Sequence, residues 1–198
     1  MQEKKFIIKP NNLRGGLGIR IGHTIEELYD LKNDGILVEE IVKNHESISI
    51  LNPTSLNTIR VVTVVDNNNI PHIVAMALRT GGKGSVIDNA HGGGTFYHID
   101  LSTGIIDTPA RDSYGNYYVK HPTSEKVMPG FLIPHFDELK QYSIDLASKL
   151  HNARYVGWDI AITPNAFEVI EGNVYPGSEL SQCNNVGLYN TIKYYLEN

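Results

Sequence analysis

Two short apolar runs, Val156-Gly157-Trp158-Asp159-Ile160-Ala161 and Phe167-Glu168-Val169-Ile170-Glu171-Gly172-Asn173, constrain the fold more than any other part of the chain. Both read as strands, yet oxygen-bearing side chains break each of them, and polar groups rarely interrupt apolar strands without a task. If Thr163-Pro164-Asn165-Ala166 bends a hairpin centred on Asn165, Asp159 falls opposite Glu171, and period-two alternation puts Asn173 on the same face. Trp158, Ile160, Ile162 and Ile170 then take the opposite, apolar face. Two carboxylates facing each other across a strand pair repel, so the pairing asks for a cation between them. Mg²⁺ suits such a set, because it takes a few carboxylate or amide oxygens and completes its shell with water and phosphate. Gly172, between two of these residues, would leave the backbone open to a ligand. For any single acid, a solvated hairpin face is the ordinary reading.

The rest of the sequence narrows the class. A net charge of −5 over 198 residues favours neither nucleic acid nor an anionic membrane as partner. The single cysteine, Cys183, can form no internal bridge and has no zinc-type spacing around it. The apolar run at the start is too short for a signal peptide, and no stretch approaches transmembrane length. These features predict a soluble cytoplasmic protein without membrane insertion.

Phe6 to Lys9 reads as a strand, Pro10 to Gly18 as a glycine-rich loop and Ile19 to Ile21 as a second strand. Thr24, with Glu27 in capping-box position, predicts a helix to about Lys32, which Asp34-Gly35 ends. Ile36 to Val42 is a strand with acids embedded in it. Thr58 to Val65 and Ile70 to Thr80 form a hairpin around Asp66-Asn67-Asn68-Asn69, residues that tolerate left-handed conformations. A glycine- and asparagine-rich loop follows from Gly81 to Gly94, then short strands, then an irregular stretch from Asp107 to Pro134. A helix is expected from Pro134 to His151, with Phe136, Leu139, Ile144, Leu146, Ala147 and Leu150 on one side. Val186 to Leu196 closes the chain as another helix. The fold class is α+β, a mostly antiparallel sheet with flanking helices, divided into a small lobe (1–40) and a large one (41–198).

Glycines that let backbone N–H groups approach an anion, beside a lysine on the preceding strand, have the chemistry of a phosphate cover. A glycine-rich turn with a surface lysine reads equally well, since the loop matches neither the dinucleotide nor the Walker pattern. Arg60 and Arg79, on adjacent strands, could clamp a phosphoryl group and the acyl phosphate formed from it.

The order of these parts resembles the ATP-grasp superfamily. Ser55-Leu56-Asn57-Thr58-Ile59-Arg60-Val61-Val62-Thr63 and Ile170-Glu171-Gly172-Asn173-Val174-Tyr175-Pro176-Gly177 look like its sugar-transfer-associated branch, related to glutamate ligases. By that resemblance, Lys9 contacts the nucleotide phosphates and Gly15, Gly16 and Gly18 let the loop close over them. Glu39 to Val42 matches the hinge between lobes, where Glu40 and Val42 meet the adenine edge and Glu46 reaches the ribose. Asn89 lies in the loop that faces the acceptor, with Arg60 and Arg79 as its catalytic companions. Two Mg²⁺ ions would be held by Asp159, Glu171 and Asn173.

The resemblance implies an ATP- and Mg²⁺-dependent ligase that joins a small carboxylate to an amine or a sugar-linked acceptor through an acyl phosphate, in cell-surface polysaccharide chemistry. In complete ATP-grasp enzymes a further domain and lysine precede the Lys9 strand, so the amino-terminal part of the fold is expected to be missing. The alternative is a non-catalytic nucleotide-binding module, or an inactive fragment. A third reading, a carbohydrate-binding domain, would use Trp158 and the tyrosines as stacking surfaces. On the ligase reading, Glu171→Gln or Asp159→Asn should abolish turnover with the fold intact, and loss of a carboxylate could relieve repulsion and stabilise it.

Overall fold

The computed structural model describes residues 5–12, 18–24, 26–29 (28 and 29 by backbone alone), 35–82, 84, 93–150 and 152–198. The chain divides into two compact units, Met1–Lys43 and Asn44–Asn198.

In the first unit, β1 (Phe6–Pro10) lies between β2 (Arg20–Gly22) and β3 (Ile36–Glu40), all antiparallel. A helical turn, α1 (Glu26–Tyr29), follows β2, and Glu27 reaches back to the backbone N–H groups of His23 and Thr24 as the capping box requires. Phe6 and Ile8 are the buried residues of β1, spaced by two as one face of a strand must be.

The second unit is built on a seven-stranded sheet in the order β10-β9-β4-β5-β6-β7-β8. Its centre is the hairpin of β4 (Thr58–Val65) and β5 (Pro71–Thr80). Asp66 makes the turn: its Oδ1 accepts from the N–H of Asn68 and of Ile70, while Asn69 takes the left-handed conformation at φ 62°. On one side of the hairpin lie β9 (Tyr155–Ile162) and β10 (Phe167–Asn173), on the other β6 (Thr95–His98). The segment expected to be irregular, from Asp107 to Pro134, contributes a narrow ribbon, β7 (Ala110–Arg111) and β8 (Tyr117–Tyr118), that extends the sheet at its edge. Each strand is two residues long, too short for an alternating pattern to be read from sequence.

Every residue of β4 is buried, so both sheet faces are covered there. One face holds the main core: Ile59, Val61, Met76, Leu78, Tyr97, Trp158 and Ile160, against which α3 (Phe136–Lys149) packs. The buried stripe of α3 is Phe136, Leu139, Ser143 and Ala147 rather than one reaching Leu150, which is exposed. Ser143 sits in it because its hydroxyl donates to the carbonyl of Leu139 one turn back. Trp158 is buried with its indole N–H donating to Thr63, so it offers no stacking surface.

The opposite face is flanked by short helices that sequence periodicity placed only in part. Leu188, Ile192, Tyr195 and Leu196, on and just before α5 (Tyr189–Glu197), cover Val62, Val64, Val74 and Ala75. Leu180 of α4 (Ser178–Ser181), with Cys183 just after it, packs on Ala77 and Phe96. A further turn, α2 (Glu46–Ser49), opens the unit. Four residues each, α2 and α4 fall below the length at which amphipathic periodicity shows. No helix among the described residues is long and apolar enough to cross a membrane.

Candidate functional site

Directly opposed residues in antiparallel ladders project from the same face, so the registers assemble a site without further assumption. Glu171, Asp159, Arg60, Ala77 and His98 form one row across five strands. The next row on the same face, two residues along each strand, holds Thr58, Arg79, Phe96, Arg111 and Tyr117. On the other side of the first row, Asn173 stands opposite Gly157. The Asp159–Glu171 pairing expected from sequence is present, but not through a hairpin centred on Asn165: next to the turn Phe167 faces Ile162 and Val169 faces Ile160, and a register shift between Val169 and Glu171 brings Glu171 opposite Asp159.

The carboxylate of Asp159 is held by two guanidinium groups. Arg60 donates from Nε to Oδ1 at 2.6 Å and from Nη2 to Oδ2 at 2.9 Å, and Arg79 reaches across β4 to give Oδ2 an Nη1 bond at 2.5 Å. Arg60 and Asp159 are 8% and 4% exposed, so solvent screens the cluster little. The repulsion expected between Asp159 and Glu171 is thus met by arginine from within the chain, which period-two arithmetic cannot foresee. Glu171 itself is exposed and Asn173 half-buried.

Two glycines explain how this face is finished. A Cβ on Gly157 would stand 2.5 Å from Pro176 Cβ and 3.3 Å from Arg60 Cδ, so its absence lets the segment after β10 settle beside the arginine. Gly172 has a different role from the one expected: a Cβ there would lie 3.3 Å from the Trp158 ring, so the missing side chain makes room for the indole on the core face.

Two carboxylates and an amide on one face are hard oxygen donors of the kind Mg²⁺ accepts. Asp159 Oδ1 carries one guanidinium contact and Oδ2 two, which leaves Oδ1 a lone pair for a cation. By donor chemistry and register, Asp159, Glu171 and Asn173 fit the ion. Among the described residues, no group of three or more His, Cys, Asp or Glu could hold a metal, and the trio depends on its amide.

The other sequence candidates belong to other segments. Lys9 pairs with Glu39, Nζ to Oε1 at 2.7 Å, in the first unit. Glu40 ends β3 exposed, and Val42 beyond it is half-buried. Glu46 is the exposed first residue of α2 in the second unit, whose N-cap is His45. Gly18 takes φ 76°, a turn conformation. Gly15, Gly16 and Asn89 lie outside the described residues. Burial pushes the Cys183 thiol up to about 12, so at neutral pH it is no thiolate nucleophile.

The family model for sugar-transfer associated ATP-grasp proteins matches residues 23–195. This chain belongs to that family. The resemblance read from the Ser55–Thr63 and Ile170–Gly177 segments is thereby met, as is the mostly antiparallel ATP-grasp architecture. No curated protein is significantly similar to it in sequence. Among solved structures, it is similar to the D-alanyl-alanine synthetase A of Vibrio cholerae O1 biovar eltor, with 12% identity and a TM-score of 0.47. That match covers 99% of this chain and 54% of the synthetase, so the chain spans about half the length of that structure.

In this ATP-grasp chain, residues next to the arginines matter that sequence reasoning passed over. Asn52 and Asn57 are buried before β4. Asn52 Nδ2 donates to the carbonyls of Gly81 and Gly82, while Asn57 Oδ1 accepts from the N–H of Gly81 and from Ser55. Asn57 Nδ2 donates to the carbonyls of Ile48 and Asn52, so every polar atom of its amide is used. These amides fix the backbone two residues beyond Arg79. On the neighbouring strand end, buried His121 bonds Thr80 Oγ1 through Nε2 at 3.0 Å and accepts through Nδ1 from the N–H groups of Thr123 and Ser124. Nδ1 as acceptor fixes the tautomer: Nε2 carries the proton and donates to Thr80. Thr80 and Thr95 bond each other at 2.8 Å, tying the ends of β5 and β6. The available signal was a cluster of Asn and Ser just before an apolar strand, which by composition alone reads as a turn.

Proposed function

We propose that the protein is an ATP-dependent ligase that joins a carboxylate to an amine or sugar-linked acceptor through an acyl phosphate, in cell-surface polysaccharide chemistry. Family membership supports the reading, and the single observation that carries it is the row of Glu171, Asp159 and Arg60 beside Arg79, with Asn173 on the same face. Asp159, Glu171 and Asn173 would hold Mg²⁺, which when bound supplies charge neutralisation on the nucleotide phosphates. Arg60 and Arg79 would supply the other half of that chemistry: planar guanidinium groups that Asp159 holds on one face, where they would stabilise a phosphoryl group in flight. Lys9 would contact the phosphates, Glu39, Glu40, Val42 and Glu46 the nucleoside, and Asn89 the acceptor.

The pairing of Asp159 with two arginines favours a second reading, a nucleotide-binding module without turnover. Calorimetry of ATP binding with and without Mg²⁺, on wild type and Glu171→Gln, together with phosphate release in the presence of carboxylates, tests both. The ligase reading expects Mg²⁺-dependent binding, at least tenfold weaker in Glu171→Gln, and carboxylate-stimulated release. Binding without release selects the module, and no Mg²⁺-dependent binding by wild type refutes both.

A further inference from the structure

The row that contains Arg79 continues past Phe96 to Arg111 and Tyr117, at the far side of the same face. Two strand spacings, roughly 10 Å, separate the backbones of Arg79 and Arg111. Arg79 is committed to Asp159, but Arg111 has no ion pair among the described residues, although it is half-buried and its Nε is buried without a hydrogen-bond partner. An unsatisfied buried donor on a cation calls for an explanation, particularly in a chain of net charge −5, where acids outnumber bases. The acids close to it in sequence do not supply one: Asp107 is taken by His98, Nδ1 to Oδ1 at 2.7 Å, and Asp112 by Asn116 and Tyr118.

The surroundings of Arg111 are fixed from two sides. Its guanidinium lies 6.0 Å from the centroid of the Tyr117 ring, which is 55% exposed. Asn185 Nδ2 reaches the Tyr117 hydroxyl at 3.4 Å, and the adjacent Asn184 donates to His98 Nε2 at 3.1 Å while its Oδ1 accepts from the N–H of Val186. The loop after α4 is therefore pinned to β6 and β8 beside the arginine. A cation able to bind a carboxylate in bidentate fashion, next to an exposed aromatic ring and amide groups, has the chemistry that recognises a sugar bearing an acid group.

We propose that Arg111, Tyr117 and Asn185 form a subsite for a carboxylate-bearing saccharide, at the opposite end of the row from the Asp159 cluster. The proposal deepens the ligase reading by naming a substrate class, and its test does not depend on turnover. Full-length protein is titrated with D-glucuronate, D-glucose and inorganic phosphate by calorimetry and by NMR, with Mg²⁺-ATP binding measured in parallel. Glucuronate should bind at least tenfold more tightly than glucose or phosphate. Arg111→Gln should weaken it at least tenfold, Arg111→Lys by less, and Tyr117→Ala severalfold where Tyr117→Phe does not, with urea midpoints showing that each variant is folded. No glucuronate binding by wild type, equal binding of phosphate, or unchanged affinity in folded Arg111→Gln would overturn the subsite. Arg111-dependent glucuronate binding without Mg²⁺-ATP binding would refute the ligase reading and leave the subsite standing.

Discussion

Arg60 and Asp159 stand directly opposite each other on β4 and β9 and are joined by two parallel hydrogen bonds within a sheet that is buried around them. The pair reverses an expectation from sequence, that neutralising Asp159 would relieve repulsion and leave the fold intact. Removing one partner of a buried ion pair leaves the other charged and desolvated, at a cost of about 3–5 kcal/mol. Here Asp159→Asn takes away the carboxylate that Arg60 and Arg79 share. Urea denaturation should show a loss of at least about 3 kcal/mol. Arg60→Met with Asp159→Leu should recover the part of it that comes from Arg60, and an Asp159→Asn variant of wild-type stability would show that the cluster is not formed in solution.

Glu171→Gln behaves differently, because Glu171 is exposed. Its effect on stability should stay within about 0.5 kcal/mol, the range of surface substitutions. The contrast between Glu171 and Asp159 is itself measurable: the two acids face each other across one strand pair, yet only Asp159 should register in the unfolding midpoint.

Asn57 is the polar residue whose loss should spread furthest. Asn57→Ala strips the partner from Gly81 N–H and from the Ser55 hydroxyl, while the carbonyls of Ile48 and Asn52 keep their bonds from the N–H of Leu51 and of Ser55. Buried groups left unsatisfied cost about 1–3 kcal/mol each, less where neighbours re-pair, so a total of about 3 kcal/mol is expected by denaturation. Asn57→Asp keeps the acceptor oxygen and loses only the donor, so amide exchange at Gly81 should stay slow in Asn57→Asp and quicken in Asn57→Ala.

Much of the second unit was legible because its strands are long. Thr58 to Val65 follows from its apolar run and from turn residues with fixed conformational tastes, whereas the Asp159–Glu171 pairing also needs a register shift between Val169 and Glu171 that no local pattern announces. What could not be read depends on contacts distant in sequence. Arg60 and Asp159 are 99 residues apart, and nothing local says that their charges meet. Gly172 looked like a gap for a ligand because the Trp158 ring that fills the space belongs to the partner strand. The amides of Asn52 and Asn57 resemble turn residues until the backbone they hold, 24 to 30 residues on, is folded against them.

His121 gives the protein an acid-sensitive window. Burial lowers its pKa from 6.5 to about 4, so the folded protein keeps the neutral ring that donates to Thr80 while the unfolded chain binds a proton more readily. Stability is complete above 6.5, falls as pH drops toward 4, and then levels off for this group. Between pH 7 and pH 5 the loss should be about 2 kcal/mol. Asp66, Asp100 and Asp112 have carboxyl groups held below their ordinary value of 3.8 by hydrogen bonds, so their stabilisation is lost only at lower pH. Urea midpoints at pH 7 and pH 5 should differ in wild type and converge in His121→Gln; an equal slope in the variant would assign the window to another group.

Lys9 and Glu39 test the phosphate role proposed for Lys9, because the two substitutions act in opposite directions. The pair is partly exposed, so its contribution to stability is about 1 kcal/mol or less, and both Lys9→Met and Glu39→Gln should unfold close to wild type. Their effects on Mg²⁺-ATP affinity should diverge. A lysine that turns from Glu39 to phosphate must first give up its bond to the acid, so Glu39→Gln removes a competitor and should tighten binding severalfold, whereas Lys9→Met removes the cation and should weaken it. The difference should shrink as salt is raised, since both groups are partly in solvent. If both variants weaken binding, the pair acts as a unit that holds β1 against β3, and the phosphate role of Lys9 falls; if neither changes it, the nucleotide binds without this strand.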